Sequence, residues 1–227
     1  MADYATLFGL LGGGFSLLGG LTYLPPIFGR DLLLRPTGRR SQPVPATWLA
    51  WAVVGAMTVV TYDAAGAGAT LWIAIALLIE YVAVTLASVY ARAADLHHLA
   101  NPRDALRKLG FGLPDLASLA GVALSALFWV VSGSAFIALM LMILTDFCGA
   151  WLTIKHAYEA PREEPVVAWV LTVVGDIFGL FAITDWSFTE DAFGVWSLIL
   201  YWTVANSFIL LLVLRGRVRS PLVPLPP

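Results

Sequence analysis

Three carboxyl groups and one amide lie in the middle of long apolar stretches of the sequence: Glu80, Asp146, Asp176 and Asn206. No Lys or Arg lies at a similar position in these stretches, so buried ion pairs cannot balance the carboxylates. A carboxyl group in an apolar medium favours its neutral form and can bind and release a proton. The sequence therefore predicts proton coupling at Glu80, Asp146 and Asp176. The alternative is that these groups only form hydrogen bonds between helices.

The spacing of aromatic and polar residues indicates a cavity. Trp169 and Asp176 are seven residues apart, close to two helical turns, and therefore share a helix face. Trp202 and Asn206 share a face in the same way, one turn apart. Aromatic faces beside hydrogen-bonding groups suit a small polar solute. Tryptophans near the ends of such stretches can instead belong to an interfacial aromatic belt.

Composition sets the environment of these residues. Hydrophobic residues make up 59% of the chain, charged residues 12%, and the mean hydropathy is +0.83. These values indicate an integral membrane protein whose partner is the lipid bilayer. The formal net charge of −2 gives no basic field for nucleic acid. A single cysteine excludes an intramolecular disulfide and any cysteine-based zinc cluster.

Seven apolar runs are long enough to cross a membrane, which requires roughly 20 residues each. Charged or Gly/Ser/Pro-containing segments separate the runs. The predicted spans are Tyr4–Phe28, Pro45–Tyr62, Ala67–Arg92, Asp115–Val131, Ser134–Tyr158, Pro165–Thr184 and Ala192–Leu214.

The distribution of basic residues predicts the orientation. All 13 Lys and Arg residues lie in the first, third and fifth connections, at the ends of the spans that lead into these connections, or after the last span. The opposite segments carry acidic residues such as Asp3, Asp63 and Asp185. The positive-inside rule then places the N-terminus outside and the C-terminus in the cytoplasm.

A weak internal repeat divides the chain. "TYLPPIFGR" at the end of span 1 leads through Pro45 to "PATWLAW", and "AWLTIKHAY" at the end of span 5 leads through Pro165 to "PVVAWVL". Each second span then ends in an acidic turn. The predicted units are residues 1–92 as the first three-helix repeat, 93–133 as a cytoplasmic loop and linker helix, 134–214 as the second repeat and 215–227 as a cytoplasmic tail.

These segments resemble the PQ-loop family of SWEET-type transporters. "TYLPPI" is similar to the Tyr-Leu-Pro-Gln motif that ends the first helix of the family's three-helix repeat, and "DFCGAWLTIKHAYEAPREEPVVAWVL" resembles the equivalent motif of bacterial members. The resemblance implies an all-α membrane fold of seven helices in a 3+1+3 parallel repeat. It also implies a carrier for a sugar-like or amino-acid-like solute, working by alternating access in a bacterial inner membrane.

The resemblance also implies site residues. It places solute contacts on Trp48, Glu80, Trp169 and Asn206, and Asp176 joins them because it shares a helix face with Trp169. Proline kinks a helix that continues past it. The candidate hinge residues are Pro25, Pro26, Pro45 and Pro165. The alternative for the adjacent pair is that it ends span 1 at the membrane surface.

Motifs and single residues of the sequence also bear on functions other than transport. The chain has no HExxH motif and no glycine-rich phosphate loop, so we expect a non-enzyme without cofactor or metal. A light-driven rhodopsin is excluded because span 7 contains no lysine for a Schiff base. The remaining alternatives are a receptor of the KDEL-receptor kind and a non-transporting accessory subunit. The chain could act as a homo-oligomer or within a larger membrane complex.

Overall fold

The computed structural model of the chain describes residues 2–27, 45–96, 101, 104, 109, 112–161 and 164–218. Within these residues the fold is all-helical and contains no strand. The helices are α1 (Ala2–Leu21), α2 (Leu24–Ile27), α3 (Pro45–Ala64), α4 (Leu71–Leu96), α5 (Leu113–Ser132), α6 (Ala135–Glu159), α7 (Val166–Ala182) and α8 (Glu190–Val218), with a short 3₁₀ turn at Gly68–Thr70 before α4. The predicted arginine-rich first connection, most of the third connection and the proline-rich tail lie outside the described residues.

Five of these helices contain segments long and apolar enough to cross a membrane. The segments are Tyr4–Leu21, Pro45–Ala64, Gly68–Ala91, Ala135–Glu159 and Glu190–Arg217. Two further apolar segments, Leu119–Ser132 and Val166–Ala182, are shorter. At 1.5 Å per residue, the 17 residues of α7 reach about 26 Å, slightly less than a hydrocarbon core of about 30 Å.

The distribution of side chains also indicates a lipid environment. Large apolar side chains such as Leu86, Leu144 and Leu211 are exposed on the outside of the bundle. Glu80 and Asp176 are buried inside it. Such an extended apolar surface is unusual for a protein in water, whereas hydrocarbon chains cover it in a membrane. The chain is therefore best described as a membrane protein.

The first predicted span is interrupted before its prolines. Helix α1 ends at Leu21, and Thr22 closes this end by donating a hydrogen bond from Oγ1 to the carbonyl oxygen of Gly19 at 2.6 Å. Pro25 and Pro26 then lie in the first turn of α2. The N–H groups of a first turn have no partner within the helix, so proline loses no hydrogen bond there.

The other two candidate hinge prolines also begin helices. Pro45 is the first residue of α3, and Pro165 caps α7 in an extended conformation with φ of −77° and ψ of 106°. The ring of proline fixes φ near the helical value, which makes the first helical position favourable for it. Among the described residues, these prolines direct the chain into helices and do not bend a helix interior.

Helices α5 and α6 are joined by a tight turn. Gly133 has a positive φ of 68°, which glycine adopts without a steric penalty. Ser134 then caps α6, because its Oγ accepts a hydrogen bond from the N–H of Ile137 at 3.3 Å. These two residues force α6 to return antiparallel to α5.

The long helices pack in a regular order. Helix α4 contacts both α1 and α3, and α8 contacts both α6 and α7. Across the bundle, α1 packs closely along α7, and α3 packs along α6. Helix α5 contacts α6 and α3. Helix α4 therefore lies between α1 and α3, and helix α8 lies between α6 and α7.

The bundle has two ends that differ in composition. At one end, α3 finishes near Asp63 and the chain re-enters through α4, while Tyr62 contacts Val195 at the start of α8. At the other end, Tyr23 after α1 and Arg217 in the last turn of α8 both contact Glu164, which precedes α7. We call these the Asp63 end and the Arg217 end.

Candidate functional site

Two of the three predicted carboxyl groups are buried beside the same helix, α1. Glu80 on α4 is 6% exposed and lies against Gly20 of α1, where a Cβ atom would overlap its side chain. Asp176 on α7 is 1% exposed, and the residue before it, Gly175, lies against Ser16 of α1. Glycine at position 20 therefore leaves the space that Glu80 occupies beside α1.

Asn206 belongs to the same group. Its Nδ2 atom on α8 donates a hydrogen bond to Oδ2 of Asp176 at 2.9 Å. Ser16 of α1 is fully buried. It lies near this pair, since its Oγ is next to Gly175, the residue before Asp176. We call Ser16, Glu80, Asp176 and Asn206 the carboxyl cluster. Four helices, α1, α4, α7 and α8, each contribute one residue to it.

Asp146 lies in a separate location beside a small cavity. Its Oδ2 atom accepts a hydrogen bond from the hydroxyl of Tyr201 at 2.8 Å. The cavity lies between α3, α4, α6 and α8 and has room for about one water molecule. It is lined by Val54, Gly55, Thr58, Ala74, Leu77, Tyr81, Met142, Asp146, Leu198 and Trp202.

Tyr81 connects this cavity to the carboxyl cluster. It directly follows Glu80 on α4, and its side chain lines the cavity together with Asp146. Of the three predicted carboxyls, Asp146 alone lines this cavity. The cavity and the carboxyl cluster are therefore neighbours along α4.

The two tryptophans predicted to contact a solute lie closer to the Arg217 end. Trp48 packs against the rings of Tyr23, Trp51 and Tyr81, with centroid distances of 5.3, 5.2 and 6.0 Å. Trp169 donates a hydrogen bond from Nε1 to Oε2 of Glu164 at 2.9 Å. Neither residue is among those that line the described cavity, whereas Trp202 is.

Glu164 is a buried acid that sequence reasoning missed. Its Oε2 atom accepts hydrogen bonds from the hydroxyl of Tyr23 at 3.1 Å and from Nε1 of Trp169 at 2.9 Å. Nε2 of His156 lies 3.7 Å from its Oε1, and Nη2 of Arg217 donates to its backbone oxygen at 3.2 Å. We call these five residues the Glu164 cluster. It connects the ends of α1, α6 and α8 to the start of α7.

The sequence gives only a faint signal for this cluster. Glu164 lies in the segment "EAPREEP", whose charge is typical of a solvated loop. The useful signal is Pro165, which fixes the chain in an extended conformation directly before α7. That geometry keeps the glutamate next to Trp169, one turn into the helix.

The described residues contain no group of three or more His, Cys, Asp or Glu side chains that could hold a metal ion. The comparisons with known proteins also leave the site without a precedent. Comparison with family models, with curated proteins and with solved structures finds no match in any of the three.

Proposed function

We propose that the chain is a membrane carrier for a small polar solute and that two three-helix halves alternate access to a central site. The first half contains α1, α3 and α4, and the second contains α6, α7 and α8, with α5 as the linker. This proposal follows the resemblance to PQ-loop and SWEET-type carriers in the sequence. Its solute class is sugar-like or amino-acid-like, and it assigns Trp48, Glu80, Trp169, Asp176 and Asn206 to solute contacts.

The packing order supports a parallel 3+1+3 repeat. In each half the third helix separates the first from the second, and the first helix of each half packs on the second helix of the other. A rotation about an axis along the bundle that exchanges the two halves therefore reproduces the same set of helix contacts. Parallel repeats of this type are one of the architectures of secondary transporters.

The observation that carries the proposal is the cavity beside Asp146. Both halves line it, with Tyr81 and Thr58 from the first and Asp146 and Trp202 from the second. It combines aromatic faces with hydrogen-bonding groups, which a polar solute requires. Because the space holds about one water molecule, a solute site has to form as the halves move apart.

Uptake into proteoliposomes tests the transport activity. A panel of sugars and amino acids is offered to the purified wild type, to Trp202→Ala and to Trp72→Ala, whose side chain is exposed on the outside of the bundle. We expect uptake of at least one solute by the wild type and by Trp72→Ala, and a loss of at least tenfold in Trp202→Ala. If no solute enters and a partner protein co-purifies at constant stoichiometry, the accessory-subunit function replaces the carrier.

The proton linkage requires its own experiment. Asp146 is the one carboxyl that lines the described cavity, so Asp146→Asn removes ionisation there while Tyr201 retains an acceptor. We expect uptake by this variant to lose the pH dependence of the wild type. An unchanged pH profile in a folded, active Asp146→Asn protein contradicts coupling at this residue.

The predicted orientation is tested by thiol labelling from outside intact cells. In a Cys148→Ser background, Asp63→Cys should react with an impermeant reagent and Arg217→Cys should not. The opposite pattern reverses the orientation of the carrier in the membrane, and reaction at both positions contradicts an intact barrier.

A further inference from the structure

The backbones of Glu80 and Asp176 lie about one helical turn apart along the bundle. Ile73 of α4 contacts Gly12 of α1 and faces Gly179 of α7. Glu80 lies seven residues after Ile73, and Gly20 lies eight residues after Gly12, so both are about 11 Å further along the bundle. Asp176 precedes Gly179 on α7, which runs in the opposite direction. Its backbone therefore lies between these two levels.

Three oxygen atoms of this cluster have no hydrogen-bond partner among the described residues. They are Oγ of Ser16, Oε2 of Glu80 and Oδ1 of Asp176. The three side chains are 0%, 6% and 1% exposed, so bulk water does not reach them. A buried oxygen without a partner costs about 1–3 kcal/mol, and an uncompensated buried charge costs more. A bound cation would give these oxygens a common partner and balance the carboxylate charge.

We propose that Ser16, Glu80, Asp176 and Asn206 form a binding site for a small monovalent metal cation of the Na⁺ class. Each helix supplies an oxygen: a hydroxyl from α1, carboxylates from α4 and α7, and the amide oxygen of Asn206 from α8. The Nδ2 atom of Asn206 is used by Asp176, which fixes the amide with its oxygen as the remaining ligand atom. All of these are hard oxygen donors, the type that binds hard cations.

The donor set distinguishes this ion from other metals. Transition metals prefer imidazole or thiolate ligands, and the cluster contains neither. Ca²⁺ takes six to eight oxygens, and Mg²⁺ keeps several of its waters, whereas this buried cluster offers the oxygens of four side chains. A dehydrated monovalent ion needs fewer ligands and lowers the net charge of the two carboxylates.

The location of the site gives the ion a mechanical effect. Ser16 and Glu80 belong to the first group of three helices, and Asp176 and Asn206 belong to the second. An ion bound to all four holds α1 and α4 against α7 and α8. It therefore binds the packed arrangement more tightly than one in which the groups separate, and it shifts the population toward the packed arrangement. The carrier proposal assigns Glu80, Asp176 and Asn206 to solute contacts as well, so ion binding is measured without any solute and independently of uptake.

Thermal unfolding of the full-length protein in detergent measures this binding. NaCl is exchanged for choline chloride at constant ionic strength, with KCl and LiCl as further ions and no solute present. Far above the dissociation constant, we expect Na⁺ to raise the Tm of the wild type by roughly 5 °C. Asp176→Asn and Glu80→Gln should abolish the shift, and Ser16→Ala should weaken the apparent affinity about tenfold. Ser16→Ala is a small change that keeps the test valid if a carboxyl variant does not fold.

Asp146→Asn is the matched control, because Asp146 is also a buried intramembrane carboxyl but lies outside the cluster. It should retain the full Na⁺ shift. An equal shift in Glu80→Gln and the wild type overturns the proposal, because the effect is then a general salt effect. A wild type whose Tm responds to methylammonium and to none of the metal ions also overturns it, since the cluster then recognises the amino group of a solute.

Discussion

The two ends of the bundle are closed by different chemistry. At the Asp63 end, buried apolar side chains from α3, α4, α6 and α8 form the largest core cluster, including Tyr62, Ile73, Leu139 and Ile199. At the Arg217 end, the buried apolar clusters lie within single halves, one around Trp48 and one around Ile209, and the hydroxyl of Tyr23 reaches across to Glu164 of the other half. The Asp63 end is therefore an apolar core shared by both halves, whereas the Arg217 end is joined between the halves by the polar contact at Glu164 and by the close approach of Gly19 to Ala168.

This difference predicts which end opens more easily. Separating packed apolar side chains loses many contacts at once, and no other group in the protein replaces them. Hydrogen bonds to a carboxylate near the membrane surface can be exchanged for hydrogen bonds to water at a small net cost. We therefore expect the Arg217 end to open first, with the Asp63 end remaining closed.

The largest expected effect is the loss of packing at the Asp63 end. Leu139 is 0% exposed in this core, and Leu139→Ala should lower the free energy of unfolding by about 2–5 kcal/mol because it leaves a cavity. Leu144→Ala on the same helix is the control, since Leu144 is 60% exposed. Denaturant unfolding in detergent measures both. Equal losses in the two variants contradict a packed core at this end.

The next largest loss of stability is expected at the contact between α1 and α7, which pack closely along each other. A Cβ atom at Gly175 would lie 2.7 Å from the carbonyl oxygen of Gly12, and backbone cannot move aside easily. Gly175→Val should therefore cost about 1–3 kcal/mol in unfolding free energy. Gly14→Val on α1 is the control, because nothing lies within 4 Å of a Cβ atom there. The hypothesis of close helix contact fails if both variants unfold at the same denaturant concentration.

The all-helical fold and most helix boundaries could be predicted from the sequence. In a membrane protein, the length of each apolar run and the charged residues that separate the runs determine where helices begin and end. The break in span 1 was missed. Hydropathy continues through Thr22 and Tyr23, and the break depends on a local hydrogen bond from Thr22 to Gly19. Pro25 and Pro26 marked the region, but the helix ends at Leu21, four residues before the first of them.

The candidate site was predicted only in part. The buried carboxyls stood out because charge is rare in apolar runs, and the structure joins Asp176 to Asn206 and places Glu80 against the neighbouring helix α1. Ser16 and Glu164 were missed as site residues. Their significance depends on which helices pack together, and a serine in a glycine-rich helix or a glutamate in a charged loop carries no such information alone.

A smaller effect is expected from opening the Arg217 end. Glu164→Ala removes the acceptor of Tyr23 and Trp169, which should cost about 1–3 kcal/mol and expose this end. In a Cys148→Ser background, thiol labelling of Ala87→Cys, a buried position near Trp48, should become several-fold faster. Labelling of Ala74→Cys, buried at the Asp63 end, should not change.

The control for this experiment is Glu159→Ala, because Glu159 is an exposed acid at the same end. It should leave both labelling rates unchanged. Faster labelling at Ala74→Cys in Glu164→Ala would mean that the whole bundle loosens, and the two ends would then not open separately.

The smallest effect is expected at a hydrogen bond that joins the two halves at the Asp63 end. The hydroxyl of Tyr62 donates a hydrogen bond to the carbonyl oxygen of Val195 at 3.1 Å. Val195 lies inside α8, where its carbonyl also accepts the helical hydrogen bond from four residues later. Tyr62→Phe therefore leaves no buried acceptor without a partner and keeps the ring in the core, so the loss should be about 1 kcal/mol or less. Thermal unfolding and labelling of Ala74→Cys measure it, with the exposed Tyr4→Phe as the control. The rate increase at Ala74→Cys caused by Tyr62→Phe is compared with the increase at Ala87→Cys caused by Glu164→Ala. If the two increases are equal, a single hydrogen bond closes each end. Apolar packing is then not what keeps the Asp63 end closed.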